Sequence, residues 1–137
     1  MHSARFQRLK KRIKDMWQIT ARGWTDGEVW SLDLAIAENV LPRLKRLKEL
    51  KDDIPAPLYN NNTLYIDNII DQEEREQERA LVAKETWEEW QQILDKMIYS
   101  FNFVIDNYAV YDIKSEEYKK YQEGMNFFVQ YFLYLWY

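Results

Sequence analysis

At 137 residues, with 47% apolar and 31% charged side chains, the chain has the size and balance of one globular domain and not of a disordered segment. It has no cysteine, which excludes a disulfide framework and thiolate metal sites; its one histidine, His2, lies at a terminus expected to fray, which argues against a His-based metal or catalytic centre. Three Gly and three Pro are too few turn residues for an all-β fold. No stretch has the apolar core of a signal peptide or the roughly 18 consecutive apolar residues of a membrane span, so an all-α, cytoplasmic protein is expected.

Charge divides the chain. Residues 1–51 carry 12 Lys/Arg against 6 Asp/Glu, and residues 52–137 carry 7 against 17, within an overall net of −4. Either basic helices pack beside acidic ones, within one chain or between subunits, or a basic face meets a phosphate-bearing ligand or an acidic partner.

Phe6, Leu9, Ile13, Met16 and Trp17 repeat at helical spacing among Arg5, Arg8, Lys10, Lys11, Arg12 and Lys14, which predicts a basic amphipathic first helix over 4–21. Such a helix suits a membrane surface or nucleic acid, but within an acidic protein a solvated face is the simpler expectation, and neither partner is inferred. Gly23 suits the residue after its C-cap. Thr25-Asp26-Gly27-Glu28 reads as a capping box, with Trp24 and Val29 at the spacing of a hydrophobic staple, so a second helix starts at Asp26. Its apolar stripe runs through Trp30, Leu32, Ile36, Val40, Leu44 and Leu47 to about Lys51, with a bend or division expected near Leu41 because Pro42 cannot bond to Glu38.

Asp52-Asp53-Ile54-Pro55-Ala56-Pro57 and Asn60-Asn61-Asn62 predict a break, and residues of about 60–84 a variable acidic insert holding a short helix and an exposed one. The third major helix is the most regular: Trp87, Trp90, Leu94, Met97, Ile98, Phe101, Val104, Ile105 and Tyr108 step by three and four. Ala109 to Lys114 forms the last connection. Ser115 then caps a final helix with Glu116 and Glu117 in its first turn and an apolar face from Tyr118 to Leu135. Residues 1–137 thus read as one domain, a bundle of four main helices plus the short helical insert.

The blocks Trp30-Ser31-Leu32-Asp33, Pro42-Arg43-Leu44-Lys45, Leu94-Asp95-Lys96-Met97-Ile98 with Phe101, and Phe127-Phe128 with Tyr131-Phe132 and Leu135-Trp136 resemble a group of small uncharacterised proteins of tailed bacteriophages and gut viruses. The resemblance touches the second, third and last helices, about half the chain; the basic first helix and the acidic insert lie outside it. It implies a phage protein in a host bacterial cytoplasm, where short non-catalytic proteins often counter host defence by occluding a defence protein or sequestering a nucleotide signal. It implies no established activity.

Asp33 shares the helix face with Val29 and Ile36 and is expected to be buried, either bonded internally to a partner such as Arg43 or Arg22 or serving as a pocket carboxylate. Asp95 borders the Trp87–Tyr108 stripe in the same way. Trp24, Trp30, Trp87 and Trp90 are candidate pocket walls, with Arg22, Arg43 and Lys45 as phosphate contacts, since aromatic faces stack on nucleobases. Packing is the competing expectation, and for Trp17, Trp30, Trp90 and Phe128 the favoured one. Tyr134, Trp136 and Tyr137 are hard to hide in one chain and suggest a homo-oligomer. The expected function is non-enzymatic sequestration of a nucleotide-like signal by Arg22, Trp24, Trp30, Asp33, Arg43, Trp87, Trp90 and Asp95, without cofactor or metal. The alternative is a protein–protein inhibitor or adaptor acting on a host defence protein through charged helices. A Mg²⁺-dependent nucleotide pyrophosphohydrolase stands third, because Glu85 and Glu88 form an ExxE pair with no ExxD pair after it.

Overall fold

The computed structural model describes residues 2–108 and 110–137, without the His2 side chain. The side chain of His2 and the place of Ala109 in the last connection lie outside it. Every regular element is helical, with no strand among the described residues.

Helix α1 (His2–Arg22) ends at Gly23, whose φ of 81° places it in the left-handed region and whose N–H donates to the Ile19 carbonyl at 2.8 Å. Helix α2 (Asp26–Trp30) opens on the expected capping box: the Glu28 N–H donates to Thr25 Oγ1 at 3.3 Å, and the Thr25 N–H donates to Glu28 Oε2 at 2.6 Å. The chain leaves the helix at Ser31 and resumes as α3 (Leu32–Leu50).

Of the bend or division expected near Leu41, the division does not occur. Helix α3 passes through Pro42, where both Pro42 and Glu38 are exposed, so the carbonyl that loses its partner can face water. The break at Ser31 is stabilised from outside the helix, by a 2.6 Å hydrogen bond shared between Ser31 Oγ and the Tyr108 hydroxyl.

The segment after Lys51 also differs from expectation. Pro55 and Pro57 start a helix instead of only breaking one, because proline has no N–H to leave unsatisfied in a first turn. Helix α4 (Ala56–Thr63) follows, and Asn60, Asn61 and Asn62 lie inside it. A short 3-10 turn (Ile66–Asn68) leads to Asp71, which accepts the Glu74 N–H at 2.8 Å and caps α5 (Gln72–Asp106). The acidic insert is therefore no separate unit. Its charged half forms the first turns of the same 35-residue helix that carries the stripe from Trp87 to Ile105; the helix ends at Asp106, so Tyr108, expected to close the stripe, lies in the turn beyond it.

Ser115 caps α6 (Glu116–Gln130) as expected, accepting the Tyr118 N–H at 3.1 Å. The helix stops earlier than the aromatic pattern implies, and a 3-10 turn (Phe132–Tyr134) carries the chain to Trp136 and Tyr137.

The core lies where α3 and α6 pack along α5, with α4 against the same helix. Trp90, Leu94 and Met97 are fully buried, joined by Leu41, Leu44, Leu58, Phe101 and Tyr131. Trp90 meets Tyr131 edge-on at 5.3 Å, and Phe101 meets Phe128 at 5.0 Å. Gly124 sets the approach of α6 to α5: a Cβ there would overlap the Lys96 carbonyl and Ser100 Oγ. Ser100 Oγ uses the closeness to donate to the Tyr121 carbonyl at 2.7 Å.

Helix α1 does not join this packing. Phe6, Leu9, Ile13, Met16 and Trp17, its whole apolar stripe, are exposed.

Candidate functional site

The eight candidate residues are not brought together. Trp90 is core. Trp30 is 90% exposed and Trp17 71%, which corrects the expectation that both pack inside. Trp30 closes the five-residue α2 where the chain turns at Ser31, so no neighbouring element covers it. Trp87 is half-buried on α5 against the core. Asp33 is exposed as well, because α3 begins only at Leu32 and its first turn lies at the open end of the body. Neither the internal partner nor the pocket proposed for Asp33 is formed. Asp95 is exposed and bound by Lys48 Nζ at 2.6 Å, the cross-helix partner of a boundary residue.

Arg22 and Trp24 do form a constructed site, with partners that sequence reasoning missed. The Arg22 guanidinium stacks 3.7 Å over the Trp24 ring and its Nη2 contacts Asp26 Oδ1 at 2.6 Å. Lys14 Nζ lies 2.9 Å from Asp26 Oδ2. Gln18, buried although α1 stands free, donates from Nε2 to Asp26 Oδ2 at 2.8 Å and accepts the Asp26 N–H through Oε1 at 2.9 Å. The hydrogen bond from Gln18, with those from Lys14 and Arg22, holds the Asp26 carboxyl far below the usual carboxylate range. Glycine at 23, the capping box and these four residues make the junction between α1 and α2, while the apolar stripe of α1 stays open. A polar Gln eight residues before an N-terminal helix Asp was the only signal available in the sequence.

Arg43 belongs to a different place. It is exposed on α3, its Nη1 donating to the Asn39 carbonyl at 2.7 Å, and it borders an open groove of about 560 Å³. Leu44 and Leu47 of α3, Phe128 of α6, and Leu135, Trp136 and Tyr137 line that groove, with Arg43 and Arg46 on its edge. Lys45 is exposed nearby on α3 but is not part of the lining.

The C-terminal aromatics are anchored from below by Lys51, which the sequence marked only as a helix end. Lys51 is 3% exposed; its Nζ donates to the Trp136 carbonyl at 2.9 Å and sits 4.7 Å from the Trp136 ring centroid. Burial pushes its pKa down, opposed by Asp53 and Asp52. Trp136 and Tyr137 remain exposed on the groove side.

Glu85 and Glu88 are both exposed on α5, and among the described residues no three His, Cys, Asp or Glu side chains lie close enough together to hold a metal ion. Among the described residues no helix is long and apolar enough to cross a membrane. The chain matches no family model, no curated protein and no solved structure.

Proposed function

We propose that this chain is a non-enzymatic binding protein of the phage counter-defence kind, whose ligand site is the groove between α3 and the C-terminal aromatic segment. One observation carries the reading: Arg43 and Arg46 edge a groove of about 560 Å³ with Phe128, Trp136 and Tyr137 in its lining. That volume suits one nucleotide-sized ligand, with stacking surface for a base and two guanidinium groups for phosphate. Of the residues first considered for this role only Arg43 takes part; Arg46, Trp136 and Tyr137 replace the rest. Equilibrium dialysis against ADP-ribose, cyclic ADP-ribose and cyclic dinucleotides tests it. At least one should be retained and released intact on denaturation, and Arg43→Ala should weaken it about 10- to 100-fold, the worth of a charged hydrogen bond. Retention of none of them removes the proposal.

A second reading, a protein–protein inhibitor or adaptor, is favoured by the uncovered basic α1. It predicts a stable complex with a host protein that Arg8→Glu with Arg12→Glu abolishes while the groove variant leaves it intact.

A further inference from the structure

An amphipathic helix whose apolar stripe is open, and whose base is tied to the next helix through Gly23, Thr25 and Asp26, lacks a surface to cover it within its own chain. Helix α1 carries seven Lys/Arg and one Asp. Lys14 and Arg22 are spent on Asp26; Arg5, Arg8, Lys10, Lys11 and Arg12 have no ion-pair partner among the described residues.

The complementary surface lies on the same molecule. The Ser31–Tyr108 hydrogen bond brings the α2–α3 junction to the end of α5, beside the start of α6. This end exposes Trp30, Leu32, Tyr108, Val110, Tyr111 and Ile113. On the same elements stand Asp33, Asp106, Asp112, Glu116 and Glu117, all exposed, with Lys114, Lys119 and Lys120 as local bases and Lys119 already paired to Glu116. An apolar patch with an acidic edge thus faces solvent near the root of an apolar helix with basic flanks. The contacts of Gln18, Lys14 and Arg22 with Asp26 tie α1 to the start of α2, and α1 does not lie on the patch of its own chain.

We infer that the occupant is a second copy of this chain: two protomers exchange arms, each laying α1 across the acidic apolar end of the other. Pairing of the two arms with each other is disfavoured, because both are strongly basic. Reciprocal exchange makes a closed two-fold contact in which every arm finds the opposite charge. The area suffices. At the ~150–250 Å² that an aromatic side chain can bury, Phe6, Trp17 and Trp30, exposed by 56%, 71% and 90%, present roughly 300–550 Å². Phe6 and Trp17 belong to the arm and Trp30 to the surface that receives it, and reciprocal exchange covers both on each protomer. Leu9, Ile13, Met16 and Leu32 carry the surface towards the ~800 Å² per partner of a stable interface.

This inference is independent of the groove, which lies along the other half of α3. Sedimentation and light scattering of the full chain should give a dimer that dissociates at high salt, as screened charges require. Ile13→Asp should make it monomeric without unfolding it. Arg8→Glu with Arg12→Glu should weaken self-association about tenfold or more, as should Asp106→Lys with Glu117→Lys. Mixing those two variants should restore a heterodimer, since each reversed surface then meets its complement. A monomeric wild type, an Ile13→Asp protein that stays dimeric, or a mixture that does not associate overturns the proposal. So does a monomer that instead sediments with anionic phospholipid vesicles through α1, because the arm would then belong to a lipid surface.

Discussion

Helix α1 and helix α5 are written in the same pattern, apolar side chains stepping by three and four with charges elsewhere, and they end in opposite environments. The α5 stripe is the centre of the molecule, with Trp90, Leu94 and Met97 fully covered by α3 and α6. The α1 stripe has nothing over it, and what holds α1 in place is polar: Gln18, Lys14 and Arg22 converging on Asp26. Hydrophobic periodicity tells which face of a helix wants a neighbour, and it is silent on whether that neighbour lies in the same chain. The body is held by burial and the arm by a hinge, so the two should fail under different insults.

Equal side chains test this most sharply. Trp90→Ala should cost about 3–5 kcal/mol of unfolding free energy, the usual price of emptying a buried tryptophan site. Trp17→Ala, in protein dilute enough to be monomeric, should move it by no more than about 0.5 kcal/mol, as an exposed substitution does. Denaturant titrations followed by far-UV circular dichroism would measure both. A similar loss for the two would mean that α1 packs on the body after all.

Gly124→Ala is a smaller lesion in the same body. Its new methyl meets the Lys96 carbonyl, a backbone atom that cannot swing aside, so α6 must move off α5. A cost of about 1–3 kcal/mol is expected, as for an overfilled core, with changed environments for Tyr121 and Phe128 but not for Trp24 in side-chain NMR.

How far the sequence discloses this contrast depends on the range of each interaction. Local devices are legible: Gly23 after α1, the Thr25–Glu28 box, Ser115 before α6 and the helical stripe from Trp87 to Ile105 all appear where their spacing puts them, and only Tyr108 falls beyond the helix end. Features decided across the fold are not. Ser31 interrupts a good helical pattern because Tyr108, distant in sequence, shares a hydrogen bond with it. Gly124 is one glycine in a helix until α5 is laid against it, and Lys51 is one more surface lysine until the Trp136 carbonyl meets it. Asp33 and Trp30 were expected to be buried from a stripe that continues into α3, but the stripe turns at Ser31 and leaves both at the open end. The candidate site suffered most, since it needed residues from several helices to converge: Arg43 borders the groove by the C-terminal aromatics, while Trp24, stacked under Arg22, lines a separate groove along the start of α3.

The gentlest probe is pH, which should separate hinge from body without any mutation. The folded Asp26 carboxyl lies far below its unfolded value of 3.8, chiefly through the Gln18 hydrogen bond and those from Lys14 and Arg22. A carboxylate with a depressed folded pKa contributes stability that is complete above 3.8 and is lost as pH falls below that value. Acid should therefore loosen the α1–α2 junction. In the body the shifts run the other way: burial raises the Tyr121 and Tyr131 pKa values above 10.0. Their contribution is whole below pH 10.0 and lost as pH climbs through the raised values. Lys51 opposes them in that alkaline range, since its lowered pKa makes the folded state gain stability as the ammonium deprotonates. Between neutrality and pH 3.8 both regions should hold. Below it, the amide signals of Gln18, Trp24 and Asp26 should shift first while those of Trp90 and Met97 stay unchanged. Simultaneous loss of both sets would show that the arm and the body are one cooperative unit, and the distinction between hinge and core would collapse.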